Sequence, residues 1–171
     1  MTQISRLAMA MADFESGNTR RINHLMKVWA YAKTIGEQEG LSPEVLEILE
    51  ASALTHDIGI RICLEKYGHC AGKSQEEEGP PIAEALLKKL GFGELLTQRV
   101  CWLIAHHHTY NPIEGADHQI LVEADFLVNM DEGQMPRDNI MATRDNIFRT
   151  AAGKALVEAL FLSDSLNMEK E

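Results

Sequence analysis

No stretch of this sequence alternates between polar and apolar residues long enough to support a strand, which excludes sheet-based folds. Positive charge is scarce as well. Sixteen Lys and Arg stand against 26 Asp and Glu, a net charge of −10, whereas proteins that read a phosphate backbone draw their affinity from clustered Lys and Arg. Nucleic acid is therefore not expected as a partner, and any phosphate handled here needs a cation to meet it. Cysteine is limited to Cys63, Cys70 and Cys101, with no CxxC pair. Neither a disulfide framework nor a zinc finger is indicated, and a reducing cytoplasm is the expected location. No apolar run approaches transmembrane length, so no membrane role is expected. Met1 to Met11 is only mildly apolar and is followed by Asp13 and Glu15, so it reads as a first helix and not as a targeting signal.

What is present is helical periodicity punctuated by Gly and Pro. With 171 residues and 45% apolar content the chain can bury one substantial core, so a single all-α domain over 1–171 is expected. Asn18 or Thr19 caps a helix running to about Gln38, with Leu25, Val28, Trp29, Ala32 and Ile35 as its apolar stripe and His24 at the stripe's edge. Ser42 and Pro43 start another, which ends in Thr55-His56-Asp57-Ile58-Gly59 with His56 on the inward face. From Ile58 to Gln75 the spacing supports a short helix, Arg61 to Tyr67, then a loop through Gly68 and Gly72 that is the expected lid. Pro80 and Pro81 would break a helix already two turns long, so the next helix is expected to start near Gly79 and stop at Gly91. One from about Glu94 ends in His106-His107-His108. Asp117 is expected to cap another, whose buried stripe, Ile120 to Val128, is flanked by Asp125. The remainder to Leu166 reads as two or three helices, and Asn167 to Glu171 as a frayed tail.

Taken singly, a half-buried His is ordinarily a hydrogen-bonded core residue. A carboxylate beside an apolar stripe, such as Asp125, is costly unless it is paired or binds a metal. Two imidazoles and two carboxylates, the residue types in the ordered set His24, His56, Asp57 and Asp125, are a nitrogen and oxygen donor mixture that suits a hydrolytic dication such as Mn, Fe, Co, Ni, Zn or Mg. That order resembles the HD-domain superfamily of metal-dependent phosphohydrolases, from about Arg20 to about Met130. Gly-Pro-Pro-Ile-Ala after an acidic run, and His-His-His-Thr-Tyr before the last Asp, look like the small stand-alone bacterial members. The resemblance implies an HD-domain helical bundle in which those four residues bind one divalent ion per chain, or two. It further implies cleavage of a phosphoester of a small phosphorylated metabolite, nucleotides included, by metal-bound hydroxide.

The sequence departs from the better-equipped members in two places. Gln75 stands where two-metal members carry a His before the glycine of the next helix, with Glu76, Glu77 and Glu78 as substitutes; Ile60 stands where some nucleotidase relatives carry a Glu. His106 and His107 line up with the second-site His pair, and with Glu78 they are the catalytic candidates. A solvated helix end is the plainer reading of the three histidines. Arg20, Arg21, Arg61 and Lys73 are the cations nearest the ligand segments and the candidates for holding a substrate phosphate. Two other functions fit the same residues: a di-iron oxygenase on the HD fold, and a non-catalytic module binding a metal or a nucleotide. A homodimer through the terminal helices is compatible with the pattern.

Overall fold

Polar caps set the first three helices. Thr2 accepts from the Ser5 amide at the start of α1 (Gln3–Phe14), and Asn18 accepts from the Arg21 amide at the start of α2 (Thr19–Gln38). Ser42 caps α3 (Pro43–Thr55) with Pro43 in its first turn, where a missing N–H costs nothing. The computed structural model describes residues 2–163; the tail expected at 167–171 lies outside them. The chain continues through α4 (Ile60–Tyr67), α5 (Gly72–Lys89), α6 (Glu94–Ile104), α7 (Gly115–Glu132), α8 (Arg137–Ile147) and α9 (Ala151–Val157), which runs on into a π-helical turn, Glu158–Leu162. Among the described residues there is no strand, and no helix is long and apolar enough to cross a membrane. The fold is all-α.

Helix α2 packs on both α3 and α7, and α3 also packs on α6 and α7. Two apolar clusters result. Val28, Ile35, Leu49, Leu121, Leu127 and Phe148 belong to one, and Leu7, Leu25, Leu54, Ile58, Leu87 and Ile104 to the other. The buried Glu123 carboxylate ties α7 to the start of α9, accepting from the Arg149 and Thr150 amides at 2.6 and 3.0 Å.

Three sequence expectations are corrected. Helix α5 begins at Gly72, not near Gly79, and carries Pro80 and Pro81 inside it. The lost backbone hydrogen bonds, worth about 3 kcal/mol for an interior proline, are offset by a buried face of Gln75, Glu76, Gly79, Ala83 and Leu87. That face comes very close to its neighbours: a Cβ at Gly59 would lie 2.9 Å from the Gly79 amide nitrogen, and one at Gly79 would lie 2.7 Å from the Ile104 side chain. The expected lid shrinks accordingly to residues 68–71 between α4 and α5. Asp117 does not cap α7, which starts two residues earlier. It sits in the first turn, where both its oxygens accept from Arg99 at 2.8 Å.

Candidate metal centre

Each of the four residues owes its place to a different local feature. His24 lies a turn before Val28 on α2, and His56 is the C-cap of α3. Asp57 follows in the turn that leads to α4, and Asp125 is on the buried face of α7. Because α2, α3 and α7 pack against one another, their side chains meet at one point. His24 Nε2 is 3.3 Å from Asp125 Oδ1 and 3.6 Å from Asp57 Oδ2; His56 Nε2 is 3.5 and 3.8 Å from the same two oxygens. Two ligand atoms about 2.1 Å from one ion sit about 3.0–3.4 Å apart, so the tightest of these contacts already have ligand spacing.

The hydrogen bonds fix which ring nitrogen faces inward. His56 donates from Nδ1 to the Ala53 carbonyl at 2.9 Å, and His24 from Nδ1 to Glu132 Oε2 at 3.2 Å. In the neutral rings both Nε2 lone pairs then point into the cluster, where the two atoms are 3.4 Å apart. Lone pairs so placed repel unless a proton or a metal ion lies between them, and the donor set fits a divalent ion.

A second set shares Asp57. One ligand atom each from Asp57, His107 and His108 lie within 4.8 Å of one another, as do those of His24, His56 and Asp57. His107 donates from Nδ1 to the Ile104 carbonyl at 2.7 Å, leaving Nε2 as a lone pair 3.9 Å from Asp57 Oδ1. His107 Nε2, His108 Nε2 and Gln75 Oε1 are buried and find no hydrogen-bond partner among the described residues. Such groups are expensive to bury without a partner. Glu76 supports this set from outside, its Oε1 accepting from the His108 amide at 3.2 Å and the Thr109 hydroxyl at 2.9 Å.

The electrostatics favour positive charge at the first set. Burial opposes charging of His56, but Asp57 and Asp125 outweigh it and push its pKa up to about 9. Burial would raise the Asp125 carboxyl, yet hydrogen bonds from His24 and His56 hold it well below the usual carboxylate range. His107 is the opposite case: burial, with His56 and His108 beside it, pushes its pKa down to about 4, so it is neutral at physiological pH.

Other residues singled out from the sequence fall in several places. Arg20 and Arg21 line a cleft of about 440 Å³ above the cluster, with Asn129, Glu132 and His108, and Arg21 is paired with Asp57. The structure does not bring His106 to the centre: α6 stops at Ile104, and His106 turns to stack on Trp102 with ring centroids 4.1 Å apart. His108, not His106, joins His107. Glu78 also lies elsewhere, held by Lys66 and the Tyr67 hydroxyl, both at 2.7 Å. Arg61 is paired with Glu65, and the exposed Lys73 reaches only towards Glu76, at 4.0 Å. Glu76 is buried. Sequence reading overlooked Asn129 and Glu132. They stand four and seven residues after Asp125, on its face of α7, and that spacing was the available signal.

The HD-domain family model matches residues 21–146. The fold is similar to the crystal structure of a predicted HD superfamily hydrolase from an uncultured Thermotogales bacterium, at TM-score 0.63 and 22% identity over 91% of this chain and 82% of that one. No curated protein matches the chain.

Proposed function

Because the chain belongs to the HD-domain family, we propose that it is a metal-dependent phosphohydrolase that cleaves a phosphoester of a small phosphorylated metabolite, with nucleotides as the first class to test. The observation that carries this reading is the convergence of two imidazole lone pairs and two carboxylates in the floor of a cleft whose wall bears two guanidinium groups. His24, His56, Asp57 and Asp125 would hold one divalent ion, and Asp57, His107 and His108 would hold a second. When bound, such an ion supplies Lewis-acid polarisation of the phosphoryl oxygens and a water of lowered pKa.

The chain's own groups do the rest. Arg20 and Arg21 supply the positive charge that a phosphate requires in a protein of net charge −10. Arg21, shared between Asp57 and the cleft, orients a phosphate over the ligand carboxylates. Glu132 holds the His24 ring in the orientation that keeps Nε2 turned inward, and the Ala53 and Ile104 carbonyls do the same for His56 and His107.

The test is release of inorganic phosphate from a panel of phosphomonoesters and phosphodiesters by the metal-loaded protein, beside Asp57→Ala and elemental analysis of both proteins. Turnover that depends on the metal and disappears in the variant is expected. Turnover that survives Asp57→Ala would end this reading, and two irons with dioxygen uptake in place of phosphate release would replace it with the oxygenase.

A further inference from the structure

The cleft above the cluster does not end at Arg21. Asn18, Arg21 and Ile60 also line a neighbouring cleft of about 320 Å³, so the two adjoin at those residues. The second is built where the end of α1 meets α4. Its apolar surface comes from Phe14, Ile60 and Leu64, and Leu64 is 51% exposed, high for a leucine beside a polar site. Its wall carries Glu15, the C-cap of α1, which is only 7% exposed. Burial raises the Glu15 carboxyl above its ordinary pKa, and the nearby charges of Arg21 and Arg61 oppose that rise. A carboxylate has room for several more N–H donors. Arg61 closes the floor by donating to the Phe14 carbonyl at 3.3 Å and to Glu65 at 3.2 Å.

A group that fills this second cleft must cover apolar side chains with its face and offer N–H donors at an edge. Arg21 stands at the junction, where the ester link between a phosphate and its organic part would lie. We propose that the cleft between α1 and α4 is the subsite for the organic part of the phosphoester, and that it takes a flat heteroaromatic group bearing an amino substituent, with Glu15 accepting the amino N–H and Leu64 and Phe14 covering the ring. This rests on the phosphohydrolase reading and adds where, and by which residues, the substrate is chosen. An oxo-substituted ring places carbonyl oxygens against the same carboxylate, which is unfavourable, so the subsite discriminates by charge as well as by shape.

The experiment is titration calorimetry of the manganese-loaded full chain with non-hydrolysable phosphonate analogues of AMP and UMP, and with inorganic phosphate. The AMP analogue is expected to bind about tenfold more tightly than the UMP analogue, a difference of about 1.4 kcal/mol. Glu15→Gln should bring the two within about twofold, because the amide both donates and accepts. Leu64→Gln, at a half-exposed position, should weaken the AMP analogue about fivefold relative to inorganic phosphate. Equal affinities for the two analogues in the wild type, or variants indistinguishable from it, would overturn the subsite and leave the phosphohydrolase standing. If the loaded wild type binds neither inorganic phosphate nor either analogue, the reading of the centre fails and the subsite fails with it.

Discussion

His24 and His56 face each other through Nε2 atoms 3.4 Å apart, while the Nδ1 of each ring donates elsewhere, to Glu132 and to the Ala53 carbonyl. Two lone pairs and two carboxylates in one buried cluster hold their geometry best around a cation. A divalent ion should therefore stabilise the native state by mass action, about 2.7 kcal/mol when its concentration is a hundredfold above Kd. Scanning calorimetry with and without a chelator measures this. The Tm is expected to rise with added ion in the wild type and to respond little in Asp125→Asn. Equal Tm values in chelated and loaded wild type would mean that the four residues form a purely structural network.

Glu132 is the carboxylate partner of a ligand imidazole, and Lys27 steadies it from outside at 3.3 Å. Partners of this kind fix ring orientation and raise ligand basicity, and their loss lowers metal affinity about tenfold to a hundredfold. Glu132→Ala is expected to fall in that range in competition with a chromogenic chelator, and Glu132→Gln, which can still accept from His24 Nδ1, to recover part of it. An unchanged affinity in the alanine variant would reduce Glu132 to a surface partner of Lys27.

Where each helix begins decided what could be read in advance. His24, His56, Asp57 and Asp125 were legible because strong local signals frame their helices: Asn18, Ser42 with Pro43, and the apolar stripe from Ile120 to Val128. Helix α5 was not, because Pro80 and Pro81 are a local argument for a break, and what overrides it is the approach of Gly79 to Gly59 and Ile104, residues distant in sequence. Which two of the three histidines reach the centre was hidden for a related reason. Periodicity carries α6 through His108, but the helix stops at Ile104, and the turn that follows decides that His107 and His108 face Asp57 while His106 stacks on Trp102. Glu76 looked like part of a charged run, and only the fold reveals the His108 amide and Thr109 hydroxyl that it meets.

The contact at Gly59 gives a test of that packing. An added Cβ would lie 2.9 Å from the Gly79 amide nitrogen and 3.1 Å from the Gln75 carbonyl oxygen, both backbone atoms that cannot rotate away. The backbone of Gly59 is right-handed helical and allows alanine, so the cost is overpacking alone. Gly59→Ala should lose about 1–3 kcal/mol in urea unfolding. Gly93→Ala is the control: its Cβ meets nothing within 4 Å, and the change should be neutral or stabilising by up to about 1 kcal/mol. A neutral Gly59→Ala would mean that α4 and α5 are not held at this distance.

His118 supplies a pH test that does not involve the metal ligands. It is fully buried, donating from Nε2 to the His106 carbonyl at 3.0 Å and accepting at Nδ1 from the Glu114 amide at 3.2 Å. The bond accepted at Nδ1 needs the neutral ring, whereas the one donated to the His106 carbonyl survives protonation and opposes the shift; burial is the main cause that lowers the pKa below the ordinary 6.5, helped by the charges of His106 and Arg99. A ring whose folded pKa is depressed takes up a proton more readily when unfolded. Its stabilising contribution is therefore complete above about pH 6.5 and is lost as the pH falls towards the folded value. Urea unfolding followed from pH 7.5 to pH 5 should show wild-type stability declining more steeply than that of His118→Gln, which has no proton to take up and can still donate to the His106 carbonyl. If the two profiles run parallel throughout, protonation of His118 is not coupled to folding, and the acid limb belongs to other groups.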